Sequence, residues 1–258
     1  MLIAAAVVAL WPREKEPQYQ GKTLSQWLNM YEARGFARGG TPREKDQAAD
    51  AIRHIGTNAL PLLVTWLSTE TPPWRHKAFS YIPDRAPVFR ALYRPCVKWL
   101  LSEDIRASET LIAFDILRED ASPAIPQLLG LMNNTNARMS SFRAVQVLVK
   151  IGPNGLAALC SVVTNQTADL TVRSSATYFL GYAGTNAVGE IQILRDLLDN
   201  PKTPVNMRYA SLMALEIIGQ TAREATPSLL RALDDPDQRV RVLATNALQK
   251  VAPDEAPN

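Results

Sequence analysis

Histidine and cysteine are nearly absent from this 258-residue chain, with two of each. Two cysteines exclude a disulfide scaffold and a multi-cysteine metal site. Glycine is also scarce, at 12 residues against 18 prolines. Strand-rich and dinucleotide-binding folds usually need more glycine turns, whereas a chain of short helices uses proline as punctuation. A large charge of one sign is missing too. The net charge of +3 gives no general attraction to nucleic acid. No His-Glu-x-x-His, Cys-x-x-Cys or phosphate-binding glycine loop occurs. What is present is 47% hydrophobic residues, enough to bury a large core and to exclude wholesale disorder. The length admits one long domain or two short ones.

The apolar run Met1 to Trp11 has eleven residues, where a membrane-crossing helix needs roughly 20. It suits the apolar part of a signal peptide, although no basic residues precede it. A start codon further upstream would supply them. Residues 1–18, with the charged Pro12–Pro17 linker, are therefore expected to be an export or anchor segment. The protein would then be membrane-associated or exported, with a cytoplasmic protein as the alternative. The plainer reading of the run is a short tail packed on the first helix.

Gly56-Thr57-Asn58-Ala59 recurs as Gly184-Thr185-Asn186-Ala187. With such a small hinge as position zero, positions −8, −5, −4 and −1 form one helix face and should be apolar or small. The hinge at Gly56 gives Ala48, Ala51, Ile52 and Ile55; Arg118 gives Thr110, Ala113, Phe114 and Leu117. Gly152, Gly184, Gly219 and Ala252 repeat the pattern. The hinges are spaced 62, 34, 32, 35 and 33 residues apart. The first interval is nearly double, which predicts one degenerate unit near 70–102. A second apolar stretch follows each hinge except the last, as in Leu60–Leu67 and Pro227–Leu233. Each unit thus reads as helix A, hinge, helix B. Pro61, Pro126 and Pro227 stand at the start of helix B, where the first-turn N–H groups lack helical partners anyway.

The rows Arg173-x-x-Ala-x-x-Phe-Leu, Arg208-x-x-Ser-x-x-Ala-Leu and Arg241-x-x-Ala-x-x-Ala-Leu resemble the short HEAT-like repeat of bacterial proteins. The resemblance covers about residues 43–252. It implies an all-α, right-handed solenoid of about six helix hairpins, used as a binding scaffold with B helices lining the concave face. Lys45, Ala107 and Ser141 stand where the family has Arg, so the arginine ladder is incomplete. Arg173, Arg208 and Arg241 are expected to be structural, binding turn carboxylates and carbonyls near Asp199, Asp234, Asp235 and Asp237. Thr23–Gln26 and Thr41–Glu44 fit capping boxes, so residues 19–42 read as an N-terminal capping helix and loop before the array at 43–258. Tyr19–Leu28 also resembles the segment after the membrane anchor of exported bacterial HEAT-repeat proteins. The final helix, from Asp237 to Val251, would be a polar cap.

Two surfaces are candidate partner sites. Between Pro72 and Leu101, Arg75, Lys77, Arg85, Arg90, Arg94 and Lys98 are opposed only by Asp84, and Trp74 and Tyr93 are among the interleaved aromatics. This pattern fits nucleic-acid stacking, an acidic partner or an anionic membrane surface, or else a degraded repeat whose basic residues snorkel. On the B helices the expected outward residues include Gln127, Gln192, Ser228, Arg195 and Arg231. That neutral, hydrogen-bonding face suits a protein or peptide ligand and argues against nucleic acid, which demands a strongly basic groove. Cys96 and Cys160 have no His in a suggestive context, and His54 reads as a surface or helix-terminus residue. No catalytic, metal or cofactor residue is expected. The sequence points to a non-catalytic protein-interaction scaffold. The alternative is an accessory subunit or a HEAT-like enzyme resembling phycobilin lyases or DNA-alkylation glycosylases.

Overall fold

The computed structural model describes residues 15–32, 41–70, 74, 77, 102–134, 137–186 and 188–256. These residues are all-α apart from one two-residue ribbon. The ribbon pairs β1 (Gln18–Tyr19) with β2 (Lys22–Thr23) in antiparallel register. Gln20 and Gly21 both have positive φ, as its tight turn requires. No alternating pattern announced it. Helix α1 (Leu24–Glu32) follows and buries Leu24, Trp27 and Leu28. Its capping box is present: Thr23 N–H donates to Gln26, and Gln26 N–H to Thr23 Oγ1. The Trp27 indole N–H donates to the Tyr19 carbonyl at 3.1 Å, and the Tyr19 ring stacks on His54.

Among the described residues, five helix pairs and a final helix come next. The first helices are α2 (Pro42–Ile55), α4 (Ser102–Leu117), α6 (Arg138–Ile151), α8 (Leu170–Leu180) and α10 (Val205–Ile218), and the chain closes on α12 (Gln238–Val251). The second helices are α3 (Leu60–Ser68), α5 (Ile125–Met132), α7 (Pro153–Thr164), α9 (Val188–Asp199) and α11 (Thr226–Ala232). Each first helix packs on the next, so α2, α4, α6, α8, α10 and α12 form one continuous row. Each second helix packs on the first helix of the following pair. The face derived from the hinges is the core: Ile52, Phe114, Leu148, Leu180, Leu215 and Leu248 are buried.

The hinges explain where the first helices stop. Gly56, Gly152 and Gly219 lie at φ +56°, +91° and +66°, a region that costs only glycine nothing. At the equivalent place Arg118 also has positive φ, +48°. The hinge expected at Gly184 differs, because α8 ends at Leu180 and a 3-10 segment runs from Gly181 to Asn186. Here the two chain segments are too close for a side chain: a Cβ on Gly181 would lie 2.7 Å from Ala214 Cα in α10.

The degenerate unit expected near 70–102, between Gly56 and Arg118, falls almost wholly outside the described residues. A unit stacked between those hinges would hold its neighbours two helix spacings apart, about 16–20 Å. Instead α4 packs directly on α2 and α3, α5 touches α3, and the turns Gly56–Ala59 and Arg118–Ala124 touch each other. Arg106 also lies over the Trp66 ring, 5.7 Å from its centroid. Further along, α6 reaches back to the end of α3: Ser140 N–H donates to Glu70 and Arg143 to the Thr69 carbonyl. The described helices leave no gap for another pair.

The ladder residues all bind inter-helix turns. Arg173 donates to the Val163 carbonyl. Arg208 donates to the Thr203 carbonyl and, through two nitrogens, to Asp235 at 2.7 and 2.9 Å. Arg241 donates to the carbonyls of Asp235 and Pro236. Ser141, in the ladder position of α6, does the same with one bond to the Met132 carbonyl. Beyond α12, Asp254 pairs with Arg223, and Ala256 packs against the core.

Candidate functional site

Two consecutive first helices carry aromatic side chains beside the core face. In α6, Phe142 is 47% exposed; just after α8, Tyr182 is 52% exposed. Tyr178, half-buried, and the buried core ring of Phe179 adjoin them. The Phe142 and Phe179 rings meet edge to face at 5.1 Å, Tyr178 and Tyr182 at 5.5 Å, and the two tyrosine hydroxyls share a hydrogen bond of 2.7 Å. These rings line a groove of about 990 Å³ that runs from Leu111 on α4, across α6, to α8 and the start of α9. Rigid helices hold every wall residue except those at the hinges.

Charge is distributed unevenly around it. Asp115 and Lys150 pair at 3.1 Å across α4 and α6. Arg118 and Glu119, adjacent at the hinge of α4, offset one another. Glu190 at the α9 end has no such counterpart in the lining, and its Oε2 is buried with no hydrogen-bond partner. Leaving such an oxygen unpaired costs about 1–3 kcal/mol. Arg118 adds strain, because left-handed backbone is unfavourable for a residue with a Cβ by about 1–2 kcal/mol. Two local costs therefore meet at one concavity, a pattern that clusters at binding sites.

The residues singled out from sequence lie elsewhere. Arg75, Arg90, Tyr93, Arg94 and Lys98 fall outside the described residues. Trp74 is 55% exposed and Lys77 is exposed. On the second helices Gln127 and Gln192 are exposed as expected. Gln192 is spent on its own helix, bonded to Asp196 and Arg195. Arg231 is held by Asp199 through two nitrogens at 3.1 and 2.6 Å. Ser228 was expected outward but is buried, because it donates to that same Asp199. Arg195 is half-buried, and its Nε has no partner. Thr65 and Thr164 hydroxyls donate to carbonyls of their own helices. The second-helix face thus satisfies much of its own hydrogen bonding.

The groove missed by that reading had a sequence signal. Counting back from the hinges, Phe142 stands at −10, Tyr178 at −6 and Tyr182 at −2. These positions are four apart and fall on a helix face beside the core stripe.

Nucleophile chemistry has little support in the described residues. Burial, and then the Glu190 charge, push the Cys160 thiol up to about 11, so it is protonated at neutral pH. No group of three or more His, Cys, Asp or Glu side chains that could hold a metal occurs among the described residues. No described helix is long and apolar enough to cross a membrane, and residues 1–11 lie outside the described ones. No protein-family model matches the chain, and no curated protein matches it.

Proposed function

We propose that the chain is an α-solenoid of HEAT-like helix pairs acting as a non-catalytic scaffold, and that it binds a segment of another protein in the groove across α4, α6 and α8. The hinge alignment and the unbroken row of first helices support the solenoid. The observation that carries the binding reading is the aromatic wall. Tyr and Phe are enriched where protein interfaces concentrate their energy, and here two of them stand half-exposed over a large concavity. The site thereby moves from the B-helix face expected from the family resemblance to the A-helix side. The apolar run 1–11 supports tethering or export at a bacterial envelope as part of the same proposal.

Selection of peptides from a phage-displayed random library on the full chain tests this. Enriched peptides should lose about tenfold or more in affinity for Phe142→Ala and for Tyr182→Ala, with the melting temperature nearly unchanged. Absence of enrichment, or enriched peptides indifferent to both substitutions, would sink the proposal.

A further inference from the structure

The lining of the groove says something about what enters it. Of its charged side chains, Asp115 is neutralised by Lys150 at 3.1 Å, and Arg118 and Glu119 are chain neighbours of opposite sign. Glu190 is left as the uncompensated charge, and one of its oxygens is buried without a partner. Glu190 itself lines the groove, so its carboxylate charge acts on whatever enters. Tyr178, Phe179 and Tyr182 line the same groove, and aromatic rings attract cations over their faces. A carboxylate without a counter-charge in the lining, beside electron-rich rings, favours positive charge, and an acidic anchor would be repelled.

Resting on the docking reading above, we infer that the segment bound in the groove carries a basic side chain, lysine or arginine. Its cation is received by the Glu190 carboxylate and lies against the tyrosine faces. The flanking apolar part of that segment covers Phe142, the exposed ring at the other end of the aromatic row. Nothing covalent is involved. Selectivity arises because the half-buried Glu190 carboxylate attracts a cation more strongly than it would in open water.

The experiment uses four capped heptapeptides of one apolar sequence. They differ only at the central residue, which is arginine, lysine, norleucine or glutamate. Binding to the full chain is read by NMR of selectively labelled tyrosine rings. The arginine and lysine peptides should bind about tenfold tighter than norleucine, and glutamate weakest. In Glu190→Gln the advantage of the basic peptides over norleucine should vanish while norleucine binding persists. Tyr182→Phe, which keeps the ring, should retain the preference. Equal binding of arginine and norleucine, or a preference that survives Glu190→Gln, overturns this inference alone. Failure of all four peptides to bind overturns it together with the docking reading.

Discussion

The turns after α9 and α11 and the turn after α5 solve one problem in different ways. Each leaves carbonyls that the helices cannot pair. After α9 and α11, Arg208 and Arg241 supply the donors, and Arg208 also grips Asp235, which ties one turn to the next. After α5, Ser141 supplies a single hydroxyl to the Met132 carbonyl. Arg143 and Ser140 hold a more distant strip of chain at Thr69 and Glu70. What the helix pairs require is a donor onto the turn, and a guanidinium is one of several groups that serve. The arginine adds a link between successive turns. The C-terminal pairs are thus cross-tied, and the pairs bearing the aromatic groove are held more by packing.

Breaking the cross-tie should have the largest effect. Arg208 and Asp235 side chains are each only 9% exposed, so Arg208→Ala leaves a buried carboxylate unpaired. It should cost about 3 kcal/mol, which for a chain of this length lowers the melting temperature by about 6–12 °C. The same pair has an acid signature. Burial is the strongest single influence on Asp235 and raises its pKa, but the Arg208 hydrogen bonds, the Asp237 N–H and the Arg208 charge together outweigh it and hold the carboxyl below its usual range. The hydrogen bond from Arg239 is the chief reason Asp237 is pulled down to about 2. Both carboxylates favour folding above the ordinary carboxylate pKa. Their contribution should fade as pH falls from about 4 towards 2. Acid titrations of Arg208→Ala should show a shallower loss over that window than wild type.

Close packing distinguishes the regions next. Gly181→Ala would drive a methyl into the α10 backbone at Ala214 and should cost about 2 kcal/mol. Gly130→Ala on α5 meets nothing within 4 Å and should stabilise by about 0.5–1 kcal/mol in thermal melts. Ser141→Ala is comparable in size to Gly130→Ala and opposite in sign. It removes one hydrogen bond and should cost about 1 kcal/mol in urea unfolding. If Ser141→Ala matched Arg208→Ala, the two turns would not differ as described.

Much of the core was legible because its stripe repeats at fixed distances from a hinge. Ala48, Ala144 and Ala244 could be placed as buried without any long-range information. Both capping boxes were legible because they are local, within four residues. What escaped depends on distance. The adjacency of α3 and α4 is hidden by a 62-residue interval whose length suited a further unit. The bond from Arg143 to Thr69 joins residues 74 apart. Ser228 looks outward by helical period but is drawn in by Asp199 of the preceding pair. The groove needs rings from α6 and α8 to meet, which neither helix encodes alone.

Hydrogen exchange with a selected peptide bound tests the placement of the site most directly. Amides of 142–150 and 178–183 should become protected, with α5 around Gln127 and the later turns of α9 beyond Arg195 unchanged. Protection concentrated at Gln127, Gln192 and Arg195, with 142–150 unaffected, would contradict the A-helix groove and return the site to the B-helix face.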